Sequence, residues 1–586
     1  MDATSKAIST TTGPRGSVAL HGVLAGLVSG LLLVLSFPPT GWGWLAIFVP
    51  LAPSIFALLV ARRGLKPLWP AVCVGLGALP AWLWLHRFMW AITGPGFPAH
   101  GLYMAVYPVL YVWLLARLAR RSEQLAWLIG VPVFWVGLEF LRGEIAINGY
   151  PWCLLGHPLI DFVPAKKIGA VFGVYGVSML VLLVVPLQSS VRALLDRHKG
   201  VPHAPSAAPL AVIGMVAILL GVGYFTSTDP GPGTVKLRLA AIQTNLPQSN
   251  KMAWKPQQQF DDFESWRALT NNAAAAHPTP DMIVWPETMF PGAGLDPASL
   301  QAQMENLRAQ GKQGSTDAMV YANALLHDQE AHGVPLLMGA VTFDGLRFEL
   351  GADGKRTPRF DGKFNSAVLM RAGGIEPARY NKMHLTPFGE QVPLVWRWPK
   401  LQQVVVGLGA SGMAFDLKAG QVPRVFTVAG HGPSGQTVPV RFVTPICYEA
   451  TFSETSRALV YQDGVRAADI MVNISNDGWF GSQPGARETH LLVGRWRCVE
   501  LGVPMFRSVN TGVSAAIDSD GKLLVSGVDG RTEKAWVDGI LTHEFLIDPN
   551  NSGTIFGRIG NVFGWVVFVA ACVLGLATFL PQRKAT

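Results

Sequence analysis

The sequence predicts a polytopic α-helical membrane protein, with about eight transmembrane helices, that carries a large α/β domain. Three observations predict it. Half of the 586 residues are hydrophobic and only 15% are charged, against roughly 25% charged in an average soluble protein. The net charge of +9 is lopsided: residues 1–225 hold 15 Lys and Arg against 6 Asp and Glu, and the rest of the chain holds 32 of each. Long apolar runs crowd the first 225 residues and recur once near the end, with a charge-richer stretch between. This composition excludes a single soluble domain, and it excludes intrinsic disorder, which needs low hydrophobicity and high charge. Because the positive excess sits in the apolar part, it marks membrane topology rather than a polyanion-binding face, and no nucleic-acid partner is expected. Five scattered cysteines suit neither a disulfide scaffold nor a zinc site.

A helical span needs about 20 mostly apolar residues. Seven such runs precede residue 226, at 18–36, 44–61, 67–86, 102–119, 125–142, 168–187 and 206–225, and an eighth lies at 562–580. Prolines 50, 53, 70, 80, 108 and 132 fall inside them, which membrane helices tolerate because neighbours re-satisfy the freed backbone groups. The first run lacks a small-residue cleavage site and meets Pro38-Pro39 at once, so it reads as a retained span. With the N-terminus inside, 13 basic residues are cytoplasmic: Lys6, Arg15, Arg62, Arg63, Lys66, Arg117, Arg120, Arg121, Arg192, Arg197, Lys199, Arg583 and Lys584. Only Arg87, Arg142, Lys166 and Lys167 fall outside. Both termini are therefore expected in the cytoplasm, with the large domain on the opposite side. Glu139 inside the fifth span is either a functional membrane carboxylate or an i,i+3 partner of Arg142.

Five segments follow: a tail at 1–17, a seven-helix membrane domain at 18–225, a linker at 226–234, the α/β domain at 235–550, and a last helix with its tail at 551–586. Lys236–Gln243 alternates at period two, as a half-buried strand does. Further strands are expected at Met282–Trp285, Leu336–Val341, Ala367–Arg371, Val440–Ile446, Ile470–Ile474, Pro504–Val509 and Val513–Ile517, and helices near 256–277, 315–332 and 487–502. Strands that alternate with helices, beside neighbouring antiparallel runs, give an α/β or α+β domain. The Gln-rich stretch 299–363 reads as a surface insertion.

Three chemically loaded residues stand at strand ends: Glu287 after Trp285-Pro286, Lys382 after Tyr380-Asn381, and Cys447 after Pro445-Ile446. A thiol nucleophile needs a proton acceptor and a cationic neighbour; Glu and Lys supply these. Each also has an ordinary alternative as buried thiol, solvated amine or turn carboxylate, and their spacing does not show that they meet. Cys498, among Arg495, Trp496 and Arg497, has no acid or base motif beside it and reads as structural. His384 and His490 lack partners at metal-ligand spacing.

The contexts of the three residues resemble the Glu–Lys–Cys signature of the nitrilase superfamily of carbon–nitrogen hydrolases. They are Trp285-Pro286-Glu287, the run Tyr380-Asn381-Lys382-Met383-His384-Leu385-Thr386-Pro387-Phe388-Gly389-Glu390, and Pro445-Ile446-Cys447-Tyr448-Glu449. With seven spans before that domain and one after, the chain resembles bacterial apolipoprotein N-acyltransferases. Gln243–Gln248, Asn473–Gly481, Arg507–Val513 and Gly149-Tyr150-Pro151-Trp152 extend the likeness. Ser482–His490 departs from the Gly-Pro-x-Gln type stretch that the family often has, so no substrate contact is assigned there.

The resemblance implies an α-β-β-α sandwich standing on the bacterial inner membrane, on its periplasmic side. It implies transfer of an acyl chain from a phospholipid to the α-amine of an S-diacylglyceryl-cysteine on an apolipoprotein, without cofactor or metal. Cys447 would carry the chain as a thioester. Glu287 would shuttle the proton, and Lys382 with the Tyr448 backbone N–H would stabilise the oxyanion. Glu390 would hold Lys382. Tyr448 and Glu449 would support the nucleophile, Glu449 with a helix-terminal carboxylate as its alternative. Trp254 would face lipid, or serve as an interfacial Trp. Two other functions stay open: a membrane-tethered amidase that hydrolyses, and a transporter or scaffold with a degenerate domain.

Overall fold

The computed structural model describes residues 14–94, 96–198, 208–226, 233–247, 254–312, 314–352, 354–387, 389–391, 417–531 and 534–581. Lys6, Lys199, Arg583, Lys584, linker residues 227–232, Gln248, Lys251, Met252, Ala253 and Phe388 lie outside them, as do the side chains of Arg15, Arg192 and Arg197.

The apolar runs fold as helices α1 (Pro14–Ser36), α2 (Leu51–Arg62), α3 (Leu68–Leu85), α4 (Gly96–Ala119), α5 (Val131–Phe140), α6 (Val163–His198) and α7 (Ala208–Thr226). Among the described residues, six segments are long and apolar enough to cross a membrane: Gly16–Ser36, Gly43–Arg62, Leu68–Leu85, Gly96–Ala119, Glu123–Asn148 and Val163–Val184. The seventh and eighth expected spans contain the shorter apolar helices Ile213–Phe225 and Val562–Ala577, so length among the described residues supports six of the eight expected spans.

Glu139 and Arg142 make no direct ion pair, although their charges are close enough to interact. Arg142 donates to the carbonyls of Tyr150 (3.2 Å), Trp152 (2.5 Å) and Cys153 (3.5 Å). Glu139 instead accepts from the Leu155 N–H at 2.8 Å and Trp135 Nε1 at 3.2 Å. Loop carbonyls have no ladder partner, and a buried cation satisfies several at once. Together the two side chains fix the membrane-proximal loop 149–155. Helix α6 breaks at Gly173, whose φ of +66° and ψ of −175° favour glycine. The break frees the Val174 N–H, which donates to Glu500 Oε1 at 2.9 Å.

Among the described residues, the main sheet of the α/β domain has twelve strands: β1 (Val235–Gln243), β2 (Met282–Val284), β3 (Leu336–Asp344), β4 (Gly362–Arg371), β5 (Gly374–Asn381), β6 (Phe426–His431), β7 (Thr437–Val443), β8 (Ile470–Asn476), β9 (Met505–Asn510), β10 (Ala515–Ile517), β11 (Leu523–Ser526) and β12 (Gly539–Ile547). They run β11-β10-β9-β8-β7-β6-β1-β2-β3-β4-β5, with β12 antiparallel to β1. The two halves meet at a single pair, Lys236 with His431. Period two explains the layering. Leu237, Leu239 and Ala241 of β1 pack with β7 and β8 residues such as Phe442 and Ile470. Ala240 and Ile242 pack outward on α8 (Pro256–Ala274) and α10 (Asp317–His332) through Phe263, Trp266, Tyr321 and Leu325. Beyond the second half lie α11 (Ser453–Val460) and α12 (Pro484–Leu501).

The stretch 299–363 is not a surface insertion. It contains most of α9 (Pro297–Ala309), all of α10, and β3, which pairs with both β2 and β4. Only the exposed hairpin Arg347–Leu350/Arg356–Arg359 is peripheral. Polar surface residues on α9 and α10 hide their buried faces, so composition misleads there. Helix α12 docks the domain on the membrane helices: Trp496 Nε1 donates to the His157 carbonyl at 2.9 Å, and its ring joins the membrane cluster. The chain ends on α13 (Val562–Ala577).

Candidate active site

Three strand ends of the two half-sheets converge. Glu287 leaves β2 through Pro286 and lies flat on β3 at Gly339. A Cβ there would stand 2.6 Å from the Glu287 Cα and 2.4 Å from the Thr288 nitrogen, so only glycine permits the approach. Lys382 follows β5, and its N–H adds a rung to the ladder by donating to the Asn365 carbonyl at 2.8 Å. Cys447 follows β7 and opens the short 3₁₀ turn Cys447–Thr451. Its φ of +51° is a left-handed conformation that a non-glycine residue adopts at a cost of order 1–3 kcal/mol, typically at functional sites.

The side chains form one buried cluster. Lys382, 1% exposed, sets its Nζ 2.7 Å from Glu390 Oε2 and 3.4 Å from Glu287 Oε1. Asn365 Nδ2 donates to both carboxylates, at 2.7 Å to Glu287 Oε1 and 3.0 Å to Glu390 Oε1. The Asn476 N–H donates to Glu287 Oε2 at 2.9 Å. Burial alone would discharge Lys382, but Glu390 and Glu287 outweigh it and raise its pKa. Burial likewise opposes the Glu390 charge, and Lys382 overcomes it, so that carboxyl is lowered. Burial, then Glu287, pushes the Cys447 thiol up, with Lys382 opposing. The thiol therefore rests protonated and needs a base.

Glu449 is fully buried and joins two of the converging segments. Its Oε1 accepts from the Tyr380 hydroxyl (2.8 Å), the Met383 N–H (2.6 Å) and the His384 N–H (2.9 Å), and its Oε2 from the Ile446 N–H (2.7 Å). Burial pushes it up to about 7. It is thus a strut between the Lys382 loop and the Cys447 turn, and the bond to Ile446 is also the helix-terminal contact weighed as its alternative. No described group accepts from the Tyr448 backbone N–H. The Tyr448 ring packs edge-on against Phe452 at 5.0 Å, and both join the membrane cluster.

Trp254 is not brought to this cluster. It donates to Asp262 at 2.8 Å and packs on Trp266. Cys498 is buried within α12. His384 stacks on Phe452, ring centroids 3.8 Å apart. Among the described residues, no group of three His, Cys, Asp or Glu is placed to hold a metal ion.

Several residues of the site carry no role in the sequence reading. Asn365 is one; a buried-phase Asn inside β4 was its only signal. Others lie behind the thiol. Arg507 donates to Asp477 at 2.9 Å and to Asn473 Oδ1 at 2.5 Å. His490 Nδ1 lies 3.0 Å from both Arg507 Nη2 and Asp477 Oδ1, and its Nε2 lies 3.3 Å from the Cys447 carbonyl oxygen. Burial and Arg507 lower the His490 pKa. A neutral ring cannot satisfy every neighbour: a hydrogen on Nε2 donates to the Cys447 carbonyl and leaves Nδ1 to accept from Arg507, whereas a hydrogen on Nδ1 donates to Asp477.

Comparison with known proteins agrees with this architecture. The apolipoprotein N-acyltransferase N-terminal domain family matches residues 29–187, and the carbon-nitrogen hydrolase family matches residues 238–544. An apolipoprotein N-acyltransferase of Geobacter metallireducens is 30% identical over 96% of each chain. That of Methylococcus capsulatus is 28% identical over 86% of this chain and 87% of its own. Among solved structures, an amidase from Nesterenkonia sp. aligns with 55% of this chain and 94% of its own, at 16% identity and a TM-score of 0.31. The apolar helices and the curated relatives together make this a multi-pass bacterial membrane protein. The chain belongs to the apolipoprotein N-acyltransferase family, its second half built as a carbon–nitrogen hydrolase domain.

Proposed function

We propose that the protein moves a fatty acyl chain from a phospholipid to the α-amine of the S-diacylglyceryl-cysteine that begins an apolipoprotein, through a thioester on Cys447. The observation that carries this reading is the position of the thiol turn. Tyr448 and Phe452 belong to the apolar cluster of the membrane helices, while the Glu287–Lys382 pair lies behind.

Glu287 takes the thiol proton and Cys447 attacks the ester carbonyl. The Lys382 ammonium and the Tyr448 N–H receive the oxyanion. As the intermediate collapses, Glu287 returns the proton to the departing lysophospholipid alkoxide. The acceptor amine then attacks the thioester, Glu287 takes its proton, and the thiol is restored as the amide forms. Glu390 and Asn365 hold Lys382 and Glu287, and Glu449 keeps the loop and the turn in register. Trp254 is left as a lipid-facing or interfacial residue.

Labelled phospholipid tests the reaction. The label is expected first on the enzyme and then on a diacylglyceryl peptide, with parallel initial-rate lines as phospholipid is varied at fixed peptide concentrations. Intersecting lines would mean direct transfer in a ternary complex. Label recovered as free fatty acid would favour the hydrolase reading.

For topology, the proposal keeps 18–225 as the membrane domain and 235–550 as a periplasmic catalytic domain, with both termini cytoplasmic. The basic asymmetry of the short loops supports it. Protease added to intact spheroplasts is expected to cut the large domain. Cleavage only after the inner membrane is permeabilised would reverse the orientation.

A further inference from the structure

Where α12 meets the membrane helices, a cleft of about 450 Å³ opens on a side that shares no lining residue with the Glu287–Lys382–Cys447 cluster. Its size lies within the range of ligand sites. Arg487, Glu488, Arg495 and Lys534 supply its charges.

Arg487 is the anomaly. It is 2% exposed, yet among the described residues no carboxylate forms an ion pair with it; Asp477 acts on it only at longer range and is already held by Arg507 and His490. Its guanidinium donates to the Gly481 carbonyl and lies 4.4 Å from the centre of the Trp536 ring. Its Nε has no partner at all. Burial pulls its pKa down. A buried cation is normally paired, because desolvation without a counter-charge is expensive.

The other charges do not supply the missing anion. Arg495 is occupied by Asp161 and by the Gly521 carbonyl. Lys534 is exposed and makes no ion pair with any described group. Glu488, also exposed, balances only one of Arg487 and Lys534. Among the described residues one positive charge is left over, and a phosphodiester carries one negative charge. The guanidinium fork fits two phosphate oxygens better than any point charge does.

The walls say what the phosphate is attached to. Pro38, just past the end of α1, lines the cleft. Leu492 lines it too and belongs to the same apolar cluster as the membrane helices. The cleft thus joins a charged head to the apolar edge of the bundle. Trp536 lies over the guanidinium, 41% exposed and held at a φ of +61°. Tryptophan favours the level of lipid head groups.

We propose that this cleft binds the phosphodiester head of a second phospholipid, gripped by Arg487 and Lys534 and distinct from any lipid consumed at Cys447. The site gives a purpose to Ser482–His490, the segment in which the sequence departs from the family pattern. It does not depend on the acyl-transfer reading.

The test uses the full chain as Cys447→Ala, delipidated in detergent, so that no lipid is held as a thioester. Native mass spectrometry follows titration with phosphatidylglycerol. Arg487→Gln is expected to lose one bound lipid, with its apparent affinity down tenfold or more. Lys534→Gln, at an exposed position that leaves the core intact, is expected to weaken the same lipid about threefold to tenfold. Unchanged lipid counts and affinities in Lys534→Gln would overturn the proposal, whether or not Arg487→Gln folds. Inorganic phosphate alone is expected to leave the melting temperature unmoved. A rise with phosphate equal to that with phosphatidylglycerol would make the cleft a free-anion site and overturn the lipid assignment.

Discussion

Cys447→Ala is expected to show no fatty-acyl adduct by intact-protein mass spectrometry and to lose more than about 10⁴-fold in turnover, while still inserting and folding. The effect should be this large because Cys447 is the only atom source for the covalent bond in both half-reactions, and no other described thiol is placed to replace it. Cys73, Cys153 and Cys498 are buried and Cys572 lies in α13, away from the carboxylates. The fold should survive because the left-handed turn at Cys447 is held by its neighbours. Ile446 bridges Ile474, and Glu449 returns to the Ile446 N–H. Alanine pays much the same left-handed strain as cysteine, so no new cost arises in the variant. An adduct that persists in Cys447→Ala and disappears in Cys498→Ala would move the nucleophile to α12.

Lys382→Met is expected to lower kcat by about 10²–10³-fold with little change in phospholipid affinity. Oxyanion charge exists only part-way through each half-reaction, so an ammonium that serves it acts on the transition state. A variant that binds lipid poorly but turns over normally would place Lys382 in head-group recognition. Stability should change as well. Breaking a buried pair typically costs about 3–5 kcal/mol, and methionine leaves Glu390 buried without its cation.

The pH dependence follows from the two shifts. Glu390 is lowered, so its contribution is present above the ordinary carboxylate value of about 4.3 and is lost as pH falls through its folded value. Lys382 is raised, so its contribution is present below about 10.4 and is lost as pH rises through its folded value. Wild-type melting temperatures should therefore keep the pair's full contribution between those limits. In Lys382→Met burial raises the Glu390 carboxyl instead, so its charge costs stability at neutral pH and that cost is relieved on acidification: the variant should regain melting temperature as pH falls through the raised folded value. Identical acid limbs in the two proteins would mean that Lys382 does not hold Glu390.

What could be read from residues alone divides along physical lines. The membrane helices were legible because a lipid-facing helix must be apolar all round, and length then sets the boundaries. Strand β1 was legible by its period-two alternation, and β3, β8 and β9 because burial on both faces writes apolar runs. Strands β5, β6 and β12 were not: Gly374-Ile375-Glu376-Pro377 opens one on a proline, and the alternate residues of the other two face outward. Glu287, Lys382 and Cys447 were singled out through their local contexts. Asn365, Asn476 and His490 were not, because each acts through a contact with a residue distant in sequence. Arg487 could not be found from sequence at all, since its significance is the absence of a neighbouring carboxylate.

One peptide plane at the thiol carries two opposite pulls. The carbonyl of Cys447 and the N–H of Tyr448 belong to the same amide, whose electrons are shared by resonance. With its hydrogen on Nε2, His490 donates to that oxygen from behind. Drawing density onto that oxygen leaves the hydrogen at the other end more positive, a cooperative strengthening known for chained amide bonds. Both members of the buried Asp477–Arg507 pair touch Nδ1 and weigh on which ring nitrogen of His490 bears the proton, Arg507 favouring Nε2 and Asp477 Nδ1. A charge pair that never meets substrate thus reaches the front of the site as an electronic bias on a single backbone hydrogen.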